Sequence, residues 1–108
     1  MLLAMSTTIA AAPLVAELSS AKTVAATGGR IIGAAVACEL DARRIMETSK
    51  AVYREIDERA VDKDDSAGAR IAFALAFDSG GDEVSSGRTS CADVRDAFRS
   101  LEQELAAE

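Results

Sequence analysis

Histidine is absent from this chain, and so is tryptophan. The first absence removes the commonest general base, the usual base of a nucleophilic triad and the commonest metal ligand. The second leaves only three Phe and one Tyr as large aromatic core fillers. Basic residues are also few: 12 Lys and Arg stand against 18 Asp and Glu, for a net charge of −6. No Lys/Arg-rich run occurs, so there is no basic face to neutralise phosphates, which argues against nucleic acid as a partner. The dinucleotide fingerprint and the P-loop spacing are missing, and Gly28-Gly29 follows no strand pattern. No internal repeat or long low-complexity segment appears. The longest uncharged stretch, residues 1–16, falls short of the roughly 20 residues that a membrane-spanning helix needs.

What remains is one small domain of 108 residues, 49% apolar, with much of that fraction alanine. Burying an alanine removes far less area from water than burying a leucine, at about 25 cal/mol per Å². The core is therefore expected to be shallow, its helices close together, and the fold to benefit from a covalent staple.

Charge is placed unevenly. Residues 1–36 carry only Glu17, Lys22 and Arg30, and every other charged side chain lies from Glu39 onward. Met1, Leu2, Leu3, Ala4, Met5, Ile9, Leu14 and Val15 make an apolar opening with the length of a signal-peptide core. Ser19-Ser20-Ala21 then offers small residues where a signal peptidase would cut. No Lys or Arg precedes the run, and Pro13 and Glu17 interrupt it. The division expected is an apolar leader over 1–21 (signal peptide, anchor or extra helix) and a helical domain over 22–108. The alternative for the first segment is an alanine-rich helix packed on that domain.

Helical spacing runs through the rest. Gly28-Gly29 reads as a break that precedes or opens a helix ending near Cys38-Glu39-Leu40. Gly29, Gly33 and Ala37, four apart, form a smooth face that lets another backbone approach. Asp41 is placed to cap a helix from Ala42 to about Val61. Its buried face is Ile45, Ser49, Val52 and Ile56, flanked by Met46 and Tyr53. Opposite lies a solvated charged face from Arg43 to Arg59.

Asp62-Lys63-Asp64-Asp65-Ser66 places Asp62, Asp64 and Ser66 as in a calcium loop. Ala67 then stands where such a loop needs glycine, and Phe73 where it needs glutamate. The stretch reads as a turn, with Asp65 or Ser66 capping a helix over about Ala67 to Phe77. Ala67, Ile71 and Leu75 share one face of it, widened by Phe73, Ala76 and Phe77, so it reads as the most buried element. Asp78 to Gly87 reads as a loop by composition. Ser90 opens the last helix, whose stripe is Cys91, Val94, Phe98, Leu101 and Leu105.

Cys38 and Cys91 are the only cysteines. They are too far apart in the chain for a clustered zinc site, and neither has a recognisable base partner for catalysis. They are either reduced core residues or a disulfide. One closes a helix and the other opens one, where the pairing distance is easily met, and an apolar leader with an even cysteine count fits an oxidising compartment. The disulfide is the favoured reading, with Cα atoms roughly 4.4–6.8 Å apart.

The two segments Ala37-Cys38-Glu39-Leu40-Asp41 and Ser90-Cys91-Ala92-Asp93-Val94-Arg95 resemble the frame of small two-cysteine, all-helical exported bacterial proteins. The resemblance covers roughly residues 28–105. A more distant likeness is to the small periplasmic acid-stress chaperones, also helical and single-disulfide.

The reading is an all-α bundle of four helices plus a leader or fifth helix. Its expected function is that of a non-catalytic periplasmic or secreted interaction module, stapled by Cys38 and Cys91, without metal or cofactor. A protein partner or a second copy is expected, and membrane contact only through an uncleaved leader. The alternative is a cytosolic acidic partner protein with reduced cysteines.

Overall fold

Four short polar residues stand just ahead of four helical runs, and each satisfies a backbone N–H that the first turn leaves without a partner. Ser20 accepts from Thr23 at 3.1 Å, Asp41 from Arg44 at 3.0 Å, Asp62 from Asp65 at 2.8 Å and Ser90 from Asp93 at 3.1 Å. A computed structural model of the chain, which describes residues 20–107, shows the helices that follow. They are α1 (Ala21–Ala37), α2 (Ala42–Arg59), α3 (Lys63–Ser85) and α4 (Cys91–Ala107). No strand occurs among the described residues, so the all-helical expectation holds. The leader expected over 1–21 lies outside them except for Ser20 and Ala21.

Three sequence expectations are corrected. Gly28-Gly29 does not break or open a helix; both glycines sit inside α1, which starts seven residues earlier at Ala21. The cap of α3 is Asp62, not Asp65 or Ser66, so Lys63 to Ser66 form its first turn. Asp78 to Ser85 are not loop: α3 continues through them to Ser85.

The stop signals explain where α1 and α3 end. After α1, Glu39 donates to the Val36 carbonyl at 3.0 Å and Leu40 to Ala35 at 3.1 Å, with Glu39 at φ 58°. After α3, Gly87 donates to Val84 at 3.0 Å and Arg88 to Glu83 at 2.9 Å, with Gly87 at φ 80°. Both are the same left-handed helix stop. Glycine takes that conformation freely, whereas glutamate does so against a steric cost of about 1 kcal/mol or more.

The helices alternate in direction, and α1 lies at the centre. It packs most extensively on α3 and also touches α2 and α4. α1 and α3 run parallel: Lys22 lies beside Gly68, Gly29 beside Phe73, and Gly33 beside Phe77. The approach is backbone on backbone. A Cβ at Gly29 would stand 2.6 Å from the Phe73 carbonyl oxygen. One at Gly33 would collide with the Phe77 carbonyl, and one at Gly80 with that of Arg30. Gly28 serves another neighbour, receiving Val52 of α2. The smooth face expected at Gly29 and Gly33 is thus used, while Ala37 at its end is exposed.

Larger side chains fill the flanks. Val24 and Ile32 of α1, Val52 and Ile56 of α2, and Phe98 and Leu101 of α4 are fully buried, and Val94 nearly so. Each such side chain contributes about 1.5–3 kcal/mol. Tyr53 and Phe73 pack with centroids 4.9 Å apart, and Phe77 follows Phe73 at 6.3 Å. The stripe of α4 is buried at Val94, Phe98 and Leu101 and half-buried at both ends.

Neighbouring glycines in α3 test the close approach. Gly80→Ala should lower unfolding free energy by about 1–3 kcal/mol in urea titration, because a methyl must force two backbones apart. Gly81→Ala has room, with its nearest outside atom 3.9 Å away. It should raise stability by about 0.5–1 kcal/mol, since alanine favours a helix interior.

Candidate functional site

The C-terminus of α1 and the N-terminus of α4 meet because α1 stops at Ala37 and α4 is capped by Ser90, leaving one cysteine at each end. Cys38 and Cys91 lie 53 residues apart in sequence, with Cα atoms 5.6 Å apart and sulfurs at bonding distance. This falls inside the separation expected from the sequence. Both residues are half-buried, and Cys38 packs against the core.

Next to this junction lies a cavity of about 140 Å³ walled by Ile31, Ala34, Val94 and Ala97. Arg30, Glu83, Thr89 and Asp93 also line it, with Arg30 and Glu83 paired at 4.0 Å. The Arg30–Glu83 pair at its mouth spans α1 and α3.

The acidic cluster that suggested a calcium loop is spent on local structure. Asp62 caps α3, Asp65 accepts from the Val61 N–H at 3.0 Å, and Ser66 donates to Asp57 at 3.2 Å. Asp57 also receives Arg70 at 2.9 and 3.0 Å, and that guanidinium lies 4.7 Å from the Tyr53 ring centre. No group of three metal-capable side chains assembles among the described residues. On the seam between α2 and α4, Arg44 grips Glu102 through two hydrogen bonds of 3.0 and 2.6 Å and stacks 5.3 Å over Phe98. The carboxylate raises the Arg44 pKa above its usual value, and the two helices are locked in register.

The structure also exposes what the sequence reading hid. Ile71 and Leu75, expected in the core, are 63% and 65% exposed. α3 buries Phe73, as expected, together with Ala69 and Gly80, with Phe77 and Val84 partly covered. Those residues are spaced four, four, three and four, so a stripe was legible once Asp78 to Ser85 were read as helix. With the helix ended at Phe77, the larger Ile71 and Leu75 outweighed a stripe made partly of alanine and glycine. Met46, expected to flank the core, is also exposed.

No helix among the described residues is long and apolar enough to cross a membrane. Compared with protein-family models, curated proteins and solved structures, the chain matches none.

Two outcomes follow. Reduction should destabilise the domain by about 2–5 kcal/mol, and Cys38→Ser and Cys91→Ser should each cost about as much as the double change. Chemical unfolding with and without reductant measures both. Millimolar calcium should leave the melting temperature unchanged, because the carboxylates of Asp62 and Asp65 are held by backbone N–H groups.

Proposed function

We propose that the protein is a non-catalytic helical interaction module, exported to the periplasm or secreted, and stapled by a Cys38–Cys91 disulfide. The observation that carries this reading is the placement of the two cysteines at the one junction where α1 and α4 meet end to end. A bond there closes a loop of 53 residues, the kind of constraint that stabilises by about 4 kcal/mol in the chain-entropy model. Such bonds persist in oxidising compartments. The apolar opening of residues 1–16 supports export, as does the two-cysteine frame resembling small exported helical proteins. A chaperone-related role is the narrower form of the reading and rests on the more distant likeness alone.

The cap at Ser20 restricts where a leader would be removed. Ser20 holds the Thr23 N–H, and Ala21 is buried. Cleavage beyond Ser20 would strip α1 of its cap, at a cost of about 1 kcal/mol. Intact-mass analysis of protein made in its native host should therefore find a mature chain beginning between Leu14 and Ser20, lighter by two hydrogens. Full-length, reduced protein recovered from the cytosol would overturn the reading and favour the acidic cytosolic partner.

A further inference from the structure

α3 is a two-faced helix whose outer face has no neighbour among the described residues. Its inner face meets α1 through Phe73, Phe77 and Gly80. On the opposite side Ile71 and Leu75 lie one turn apart, with exposed Ala67 and Ala74 beside them. Single exposed apolar residues are ordinary. Two large ones at i and i+4, with small residues around them, form the anchor spacing by which helices dock on one another.

The charges in line with Ile71 and Leu75 are of one sign, while Lys63 lies at the edge of the face, one turn before Ala67. Asp64 precedes the apolar pair, and Asp78 and Asp82 follow it; all three are exposed. None takes part in an ion pair among the described residues, and Arg70, the cation in the middle of the helix, is turned away to Asp57 and Tyr53. We propose that the outer face of α3 docks an amphipathic helix of a partner protein that carries basic residues beside its apolar stripe. The inference rests on the reading of this chain as an interaction module and names the chemistry of its partner.

Charge decides among the occupants. A second copy would bring the same patch to itself and set aspartate against aspartate. Residues 1–19 of this chain contain one charged side chain, Glu17, and so offer no cation. Anionic lipid would be repelled by the three aspartates. A basic helix gains on both counts: it covers Ile71 and Leu75, and it meets Asp64, Asp78 and Asp82 with opposite charge.

The test uses the full oxidised chain and two synthetic helical peptides. One has leucines at i and i+4 spacing flanked by lysines, and the other has glutamates in place of the lysines. Isothermal titration should show binding of the lysine peptide only. Ile71→Ser with Leu75→Ser should weaken it about tenfold or more, with melting unchanged. Asp78→Asn with Asp82→Asn should also weaken it and flatten its dependence on salt. The proposal fails if the lysine peptide does not bind, if it binds the Ile71→Ser/Leu75→Ser variant equally well, or if the glutamate peptide binds as tightly. It fails equally if sedimentation reveals a dimer that Ile71→Ser/Leu75→Ser abolishes, because the occupant is then a second copy. Recovery of reduced cytosolic protein would defeat export and leave these titrations as they are. The two failures are therefore distinguishable.

Discussion

The rest of the structure depends on the contact of two helix backbones. Where α1 crosses α3, Gly29 and Gly33 on one side and Gly80 on the other leave no side chain between carbonyl groups and the opposing Cα atoms. Approach this close gains dispersion along a continuous seam, because packed atoms attract one another only near contact distance. The seam also sets where bulk must go. Large side chains cannot enter it, so Val52 and Ile56 come in from α2 and Val94, Phe98 and Leu101 from α4, onto the other sides of α1. Alanine richness is then a geometric condition: Ala21, Ala25, Ala34 and Ala35 are buried where a larger residue would hold the helices apart.

That economy on the inner side has an outer counterpart. α3 leans on α1 through small residues and on α2 through Tyr53, Phe73 and the Asp57–Arg70 pair. No helix among the described residues covers its far side, where Ile71 and Leu75 are exposed. The two seams with α2 are pinned by arginines that each combine a carboxylate with an aromatic ring, Arg44 over Phe98 and Arg70 over Tyr53. Planar guanidinium groups suit both partners at once, and lysine would not replace them.

How much of this was readable from the residues depended on what marks each element. Where a polar cap preceded a stripe of large side chains, as at Asp41 before Val52 and Ile56 or Ser90 before Val94, Phe98 and Leu101, the helix was read correctly with its inner face. The meeting of Cys38 and Cys91 followed from their places at helix ends. Where the stripe was made of glycine and alanine, the reading was partial. Gly28 and Gly29 resemble a break, and Gly80 and Gly81 resemble a loop, because isolated glycine disfavours helix. At Gly29, Gly33 and Gly80 the tertiary contact leaves no room for a Cβ; the four-residue spacing of Gly29 and Gly33 marked that face, while nothing local marked Gly80. The inner face of α3 was read too wide for the same reason, taking in Ile71 and Leu75 beside Phe73 and Phe77.

The central position of α1 has a consequence for the order in which the chain can assemble. Of the four helices α1 leaves the ribosome first, yet the surfaces that complete it arrive later. Gly80 follows Gly33 by more than forty residues, and Phe98 and Leu101 later still. Until α3 and α4 emerge, α1 is a short glycine-interrupted helix with little to hold it in water. The early chain therefore has little to hold it folded before α3 and α4 have emerged. Cooperative closure waits for the last helix, which carries the second cysteine.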